Sequence, residues 1–180
     1  GGIPVESDSG KPMQETMQET MQETMQKSMQ REMPEITSPA TGTLVPLNEV
    51  RDEVFANKVL GDGFAVDITD GRILAPVDGT VAAAFDTGHA VGIRTEEGQE
   101  ILVHIGIDTV ELGGQGFRLC VEQGQNVKRG DLMVEVDMDY VKGKGKDLTT
   151  IVLFTSGEAV ALKEYGKVTA GERLDCLVNG

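Results

Sequence analysis

The sequence predicts an all-β fold, an antiparallel β-sandwich or barrel with short helical segments, preceded by a low-complexity tail. Three observations predict it. The 145 residues after residue 35 contain 20 of the 23 glycines. Their apolar residues fall in short, often β-branched runs. Asp-Gly and Ser-Gly turn dipeptides, which begin at Asp62, Asp70, Asp78 and Ser156, separate these runs as in a compact sandwich or barrel.

Residues 1–35 are predicted to be a linker or tail, and residues 36–180 a single domain. From Met13 the chain repeats Met-Gln-Glu-Thr, and six of its eight methionines precede residue 36. Methionines spaced four residues apart would wind around a helix and would not form one apolar face. A lone helix and a flexible linker are therefore both possible structures for this segment. Pro34 ends any helix there. An interdomain linker is favoured over a Met-rich helix that binds a partner.

Seven strands and two helices are predicted within the domain. The strand candidates are apolar runs bounded by turn residues, near 42–47, 64–68, 80–85, 90–94, 100–105, 132–136 and 150–154. The helix candidates are 48–58 and 138–144, the second weakened by Gly143. Residues 38–45 are echoed by residues 75–82, with Pro, Gly and Thr in step. This repeat predicts two related strand-turn units in a pseudo-symmetric sandwich.

Charge and composition exclude several classes of function. The chain has 16 Lys and Arg against 30 Asp and Glu, a net charge of −14, so nucleic acid is not expected as a partner. No apolar run approaches the ~18 residues of a spanning helix, so no direct membrane insertion is expected. Cys120 and Cys176 form no ligand-type spacing and are expected to be reduced, in a cytoplasmic protein.

The two histidines, His89 and His104, are predicted to approach one another across a hairpin. If the turn near residues 96–99 joins the strands on either side, positions whose numbers add to about 194 pair, and His89 lies opposite Ile105. Thr87 could fix the tautomer of His89 with one hydrogen bond. An imidazole in an apolar setting is a competent nucleophile. The alternative is two unrelated histidines that satisfy hydrogen bonds in the core.

Five segments together resemble a known family. In chain order they are ITSPATGTLVPL, VFANKVLGDGFAV, APVDGTVAAAFDTGHAVGI, ILVHIGIDTVELGGQGF and EQGQNVKRGDLMVEVD. They closely resemble the glucose-type enzyme IIA domain of the bacterial phosphoenolpyruvate-dependent sugar phosphotransferase system, over nearly all of residues 36–180. The resemblance implies a phosphotransferase component, an antiparallel sandwich of the duplicated hybrid motif type that carries phosphoryl groups between proteins.

The resemblance also implies roles for individual residues. His104 would be phosphorylated on Nε2, His89 would be its partner, and Thr87 would hydrogen-bond His89. The docking rim for partner proteins would be formed by Asp62, Asp108 and Val110, with the carboxylates attracting basic groups.

The surroundings of His104 carry two further expectations. An apolar collar that excludes water is expected from Leu102, Val103, Ile105 and Val110. Because Leu102 and Ile105 stand where aromatic residues would be expected in the glucose-type carriers, the docking surface is expected to be less aromatic.

Partners follow from the same resemblance. The donor would be the phosphohistidine of HPr, and the acceptor a cysteine of an enzyme IIB domain, which the N-terminal linker could join to this domain in a fused permease at the cytoplasmic face of the membrane. No cofactor is required, although His89 and His104 could collect zinc adventitiously or in a regulatory complex. The sugar is not encoded here.

Three alternatives belong to other classes. A zinc peptidase of the lysostaphin type needs three protein ligands, which His89, His104 and Asp108 could just supply. A biotinyl or lipoyl carrier would explain the glycine-turn cadence of EQGQNVKRGDLMVEVD, but the exposed Met-Lys-Met type hairpin is missing. A regulatory protein of the same fold could bind partners without transferring phosphate.

Overall fold

The computed structural model describes residues 18–22 and 32–177. Residues 18–22 are helical, and the rest of the Met-Gln-Glu-Thr repeat up to residue 31 lies outside the described residues. A separate compact unit begins at Met33, and the domain boundary at residue 36 stays a prediction. In the described ranges, no helix is long and apolar enough to cross a membrane.

Thirteen strands and two α-helices make up the described part of this unit. The strands are β1 (Ile36–Thr37), β2 (Gly42–Pro46), β3 (Asp62–Ile68), β4 (Arg72–Leu74), β5 (Gly79–Ala84), β6 (Ala90–Arg94), β7 (Glu100–Ile105), β8 (Phe117–Leu119), β9 (Asn126–Val127), β10 (Leu132–Val136), β11 (Thr149–Phe154), β12 (Gly166–Val168) and β13 (Arg173–Leu174). The helices are α1 (Glu53–Ala56) and α2 (Met138–Gly143), and short 3-10 turns occupy Leu47–Glu49 and Thr109–Leu112.

The strands form antiparallel sheets, which confirms the predicted fold class. An eight-stranded sheet has the order β12-β2-β3-β11-β7-β6-β5-β9, a three-stranded sheet the order β4-β10-β8, and β1 pairs with β13. The large sheet is open, with β12 and β9 at its edges, so the architecture is the sandwich and not the barrel. Its two halves mirror one another about the β11–β7 pair, and β2 and β5, which end the two echoing segments, occupy equivalent places.

Local sequence signals located the longer strands well. The bounds of β6, β7 and β10 match the prediction, and those of β2, β3, β5 and β11 differ by at most two residues. The short strands β1, β4, β8, β9, β12 and β13 were not predicted. Each has only two or three residues, too few to show an alternating pattern.

The helix predicted over residues 48–58 is wrong. The chain forms a 3-10 turn, then an extended residue at Val50 (φ −70°, ψ 138°), and only then the single-turn helix α1. Asp52 starts α1 because its carboxylate accepts hydrogen bonds from the amides of Val54 (2.9 Å) and Phe55 (3.2 Å). The second helix is confirmed as α2, and Asp137 caps it through the amide of Tyr140.

Two apolar clusters lie against the large sheet, and alternation along the strands assigns side chains to them. In β7, Ile101, Val103 and Ile105 join the main core, whereas Leu102 packs against the second cluster. That second cluster contains Phe55 of α1 together with Ile151 and Leu153 of β11, and also Leu47, Val50, Ala65 and Ile107. His104 follows Leu102 by two residues on β7, so both side chains lie on the same face of the sheet, the face of the smaller cluster.

Candidate active site

The hairpin of β6 and β7 brings the two histidines together, as the sequence predicted. Ala90 pairs with His104, so paired positions add to 194, and the amide of Ile105 donates to the carbonyl of His89 at 2.7 Å. The imidazole centroids are 5.2 Å apart, with the ring planes at 81°. The two rings therefore form one site, and the alternative of two unrelated core histidines is wrong.

A main-chain contact sets the tautomer of His104. Its Nδ1 lies 2.8 Å from the carbonyl oxygen of Gly106. Because a carbonyl oxygen only accepts, Nδ1 carries the proton, and the neutral ring keeps its lone pair on Nε2. The left-handed conformation of Gly106 (φ +83°) makes the tight turn that returns this carbonyl toward the ring.

Thr87 lies beside His89, in the arrangement that the sequence predicted. The Thr87 hydroxyl is 2.5 Å from Nδ1 of His89, and a hydroxyl can either donate to this nitrogen or accept from it. His89 is only 7% exposed, so a bond at Nδ1 strongly restricts how its ring can turn.

Burial keeps both imidazoles neutral near pH 7. It lowers the pKa of His89 below the ordinary value of 6.5, and the neighbouring charge of protonated His104 lowers it further. Burial also lowers the pKa of His104, while the bond to Gly106 and the carboxylates of Asp52 and Asp108 oppose that shift. A neutral imidazole with a free nitrogen is the nucleophilic form.

The carboxylates of Asp52 and Asp108 both act electrostatically on His104. Asp108 is exposed and has a left-handed backbone (φ +58°) at the start of the 3-10 turn that follows β7. Asp52 was not singled out from the sequence. The sequence does show Asp52 as a possible helix cap in front of α1. The effect of Asp52 on His104, however, arises only from the packing of α1.

Asp62, the other predicted rim residue, has a structural environment of its own. Its carboxylate accepts from the amides of Gly63 (2.8 Å) and Val160 (2.9 Å) and faces Lys58 at 3.4 Å. Through β11, Asp62 is in register with Ile101, three residues before His104 and two strands away. Its role on the docking rim stays a prediction.

The predicted collar around His104 needs correction. Val103 and Ile105 are fully buried in the main core, on the opposite face of the sheet from His104, because successive residues of a strand face opposite sides. Leu102 does share the face of His104. Val110 is 53% exposed and lies in the 3-10 turn after β7, at the protein surface.

Aromatic side chains flank both imidazoles, and the expectation that the docking surface is less aromatic than in the glucose-type carriers stays a prediction. The ring of Phe55 lies 5.1 Å from that of His104, and the ring of Phe85 lies 5.5 Å from that of His89. Phe85 is 46% exposed. Sequence reasoning missed both residues, since neither is next to a histidine along the chain.

Several exposed apolar side chains lie on the segments that carry the site. They are Val54 of α1, Val59 and Leu60 of the following loop, Phe85 after β5 and Val110 after β7. Apolar side chains exposed around a buried reactive group are typical of a protein–protein docking surface.

The described residues offer little to a metal ion on their own. No group of three or more His, Cys, Asp and Glu side chains in ranges 18–22 and 32–177 has a metal-binding arrangement. The two imidazoles supply two ligands, whereas zinc usually takes three or four from protein. A zinc ion shared with a regulatory partner would therefore need further ligands from that partner.

Comparisons with known proteins identify the family of this chain. The family model described as phosphoenolpyruvate-dependent sugar phosphotransferase system, EIIA 1, matches residues 34–160. The chain is 48% identical over 139 residues to a PTS system glucose-specific EIICBA component of Streptococcus pneumoniae serotype 4. This alignment covers 76% of this chain but 19% of that relative. The chain thus spans about a fifth of the length of that relative.

A solved structure shows the same fold. The glucose permease IIA from Mycoplasma capricolum superposes with a TM-score of 0.76 at 40% identity, covering 80% of this chain and 95% of that one. The match of the family model alone extends over more than half of the chain. The chain therefore belongs to the EIIA 1 family of the phosphoenolpyruvate-dependent sugar phosphotransferase system, and it is a phosphotransferase component of that system.

Proposed function

We propose that His104 is the residue on which this domain carries the phosphoryl group during sugar uptake. The observation that carries the proposal is the bond from Nδ1 of His104 to the Gly106 carbonyl (2.8 Å), which leaves the lone pair on Nε2. That lone pair attacks phosphorus, the P–N bond of the donor phosphohistidine breaks, and its electron pair returns to the donor ring. HPr is the proposed donor.

His89 is the second group of the proposed mechanism. When the Thr87 hydroxyl donates to Nδ1 of His89, the proton of the neutral ring resides on Nε2. From there, His89 can donate a hydrogen bond to a phosphoryl oxygen on His104 and stabilise the charge during transfer. The edge-to-face arrangement of the two rings suits such a bond.

The acceptor in this proposal is a cysteine of an enzyme IIB domain. The streptococcal relative is named as an EIICBA component, which supports an enzyme IIB partner, and the linker of residues 1–35 would join the domains. The names of both relatives refer to glucose, which supports a glucose-type system. The proposed location is the cytoplasm, and the reaction as written uses no cofactor.

Docking is proposed to exclude water from the site. The exposed apolar side chains around the histidines, with Phe85 and Val110 among them, would be covered by the partner protein. A dry site slows hydrolysis of the phosphohistidine. The carboxylates of Asp108 and Asp52 would favour a partner with basic groups beside its own reactive residue.

Phosphoryl uptake from phosphoenolpyruvate, through enzyme I and HPr, tests the proposal. The wild-type chain should gain the mass of one phosphoryl group in an acid-labile form, mapped to His104. His104→Ala should lose the uptake, whereas His89→Gln should accept the group but not pass it to enzyme IIB. Uptake by a folded His104→Ala protein would show that another residue is the nucleophile.

A further inference from the structure

We propose that Thr109 is a positioning residue for phosphoryl transfer: its hydroxyl holds the turn after β7 so that the Gly106 carbonyl keeps the proton on Nδ1 of His104. The inference rests on the proposed function, because it explains how the nucleophilic nitrogen is selected. Thr109 is fully buried, and its hydroxyl donates to a main-chain carbonyl, so it acts through the main chain.

Four hydrogen bonds fix the two peptide groups that flank Gly106. The Thr109 hydroxyl donates to the carbonyl of Ile105 (2.5 Å), and the amide of Gly106 donates to the carbonyl of Thr149 (3.1 Å). The amide of Ile107 donates to the carbonyl of Asp147 (2.9 Å), and the carbonyl of Gly106 accepts from His104. Two of these bonds are main-chain only and one involves the nucleophile itself. The Thr109 hydroxyl supplies the remaining one, which a substitution can remove.

The turn itself is costly to maintain. Gly106 (φ +83°) and Asp108 (φ +58°) both adopt left-handed backbones, and for a residue with a Cβ that conformation costs on the order of 1 kcal/mol. The turn is also tightly packed, because a Cβ added at Gly106 would lie 2.4 Å from Cγ2 of Thr109. Such a turn persists only when surrounding contacts hold it.

Loss of the Thr109 hydroxyl should therefore change the chemistry of His104 without touching the docking surface. The Ile105 carbonyl would lose its partner, the following peptide group could rotate, and the Gly106 carbonyl would no longer select Nδ1 for the proton. A fraction of His104 would then carry its proton on Nε2, where it blocks attack on phosphorus.

The test compares Thr109→Val, which keeps the shape but lacks the hydroxyl, with Thr109→Ser, which keeps the hydroxyl. The ring nitrogens of His104 are labelled with ¹⁵N, and their NMR shifts report the tautomer. Phosphoryl uptake from phospho-HPr reports kcat and KM. Thr109→Val should show a mixed tautomer and, at unchanged KM, a kcat that falls in proportion to the fraction protonated on Nε2, about twofold for an equal mixture. Thr109→Ser should resemble wild type.

Other outcomes overturn the inference. A wild-type spectrum with the proton on Nε2 of His104 would do so without any variant, even if Thr109→Val failed to fold. A Thr109→Val protein with the wild-type tautomer and kinetics would also overturn it. Equal losses of kcat in Thr109→Val and Thr109→Ser would overturn it too, because they would show that Thr109 contributes only packing. A wild-type proton on Nε2 would also remove the basis for attack from that nitrogen, whereas the two results from the Thr109 variants leave phosphorylation of His104 untouched. The His104→Ala protein tests that phosphorylation separately.

Discussion

At the scale of single residues, the site depends on two imidazoles that burial keeps neutral. His104 obtains its tautomer from the Gly106 carbonyl, and Thr87 restrains the ring of His89. Desolvation is the largest cause of the lowered pKa in both rings. The burial that keeps His104 neutral, and so nucleophilic, therefore also means that protonation of the ring lowers the free energy of unfolding.

We expect the free energy of unfolding to fall as the pH drops below about 6.5. Both histidines have a folded pKa lower than the ordinary value of 6.5, so in this range the unfolded chain binds more protons than the folded one. Stability is then complete above that value and decreases as the pH falls through the lowered pKa values. Denaturant titrations at a series of pH values measure it.

The matched control is the double variant His89→Gln, His104→Gln. Its free energy of unfolding should vary less with pH between about 6.5 and 5, because neither ring remains to be protonated. An identical slope in the variant and the wild type would assign the pH dependence to other groups.

At the scale of secondary-structure elements, three short segments complete the site that the β6–β7 hairpin begins. The helix α1 supplies Phe55, which lies against His104, and the residue after β5 supplies Phe85 against His89. The 3-10 turn after β7 supplies Thr109. Each segment is short, so its position depends on caps and packing more than on helix propensity.

Asp52→Ala should lower the free energy of unfolding by about 1 kcal/mol, because the amides of Val54 and Phe55 lose their cap. Asp52→Asn separates the cap from the charge. It should keep nearly all of the stability, while the pKa of His104 falls further because the carboxylate that opposes its lowering is gone.

Chemical denaturation and an NMR titration of the His104 ring measure the two effects of the Asp52 variants. An unchanged pKa of His104 in Asp52→Asn would show that this carboxylate does not act on the ring. Equal losses of stability in both variants would show that the charge, and not the cap, stabilises α1.

At the scale of the whole molecule, the distribution of charge and apolar surface supports the proposed docking of partners. Of the net charge of −14, residues 36–180 carry −10, since the first 35 residues have three basic and seven acidic side chains. The exposed apolar side chains on the segments that carry the histidines interrupt this acidic surface. In the proposed docking, the acidic field would attract a basic carrier from a distance, and the apolar contacts would fix its orientation.

Val110→Asp should raise KM for phospho-HPr about tenfold, since replacing one apolar contact of an interface by a charge costs roughly 1–2 kcal/mol. Val110 is 53% exposed, so the fold should keep its stability. Tyr165→Asp is the matched control, because Tyr165 is 42% exposed but precedes the edge strand β12. Equal KM values for Val110→Asp and wild type would place the docking surface elsewhere.

Local sequence alone determined the β-class of the domain, the bounds of its longer strands and the pairing of the two histidines. These features depend on neighbouring residues: glycine turns delimit the runs, and a short hairpin turn sets the register of β6 and β7. Thr87 was found for the same reason, two residues from His89. The resemblance to the family then attached a reaction to these histidines.

Only the tertiary structure decided which other side chains reach the rings. Asp52 and Phe55 lie about fifty residues before His104, and the antiparallel packing of β3, β11 and β7 brings their segment to it. The tertiary structure likewise placed Val103 and Ile105 in the main core, on the face of the sheet opposite His104. The sequence had predicted that they form a collar around His104. Alternation along a strand predicts that successive side chains face opposite sides of the sheet. Which of the two sides holds the site depends on the segments that pack against each side.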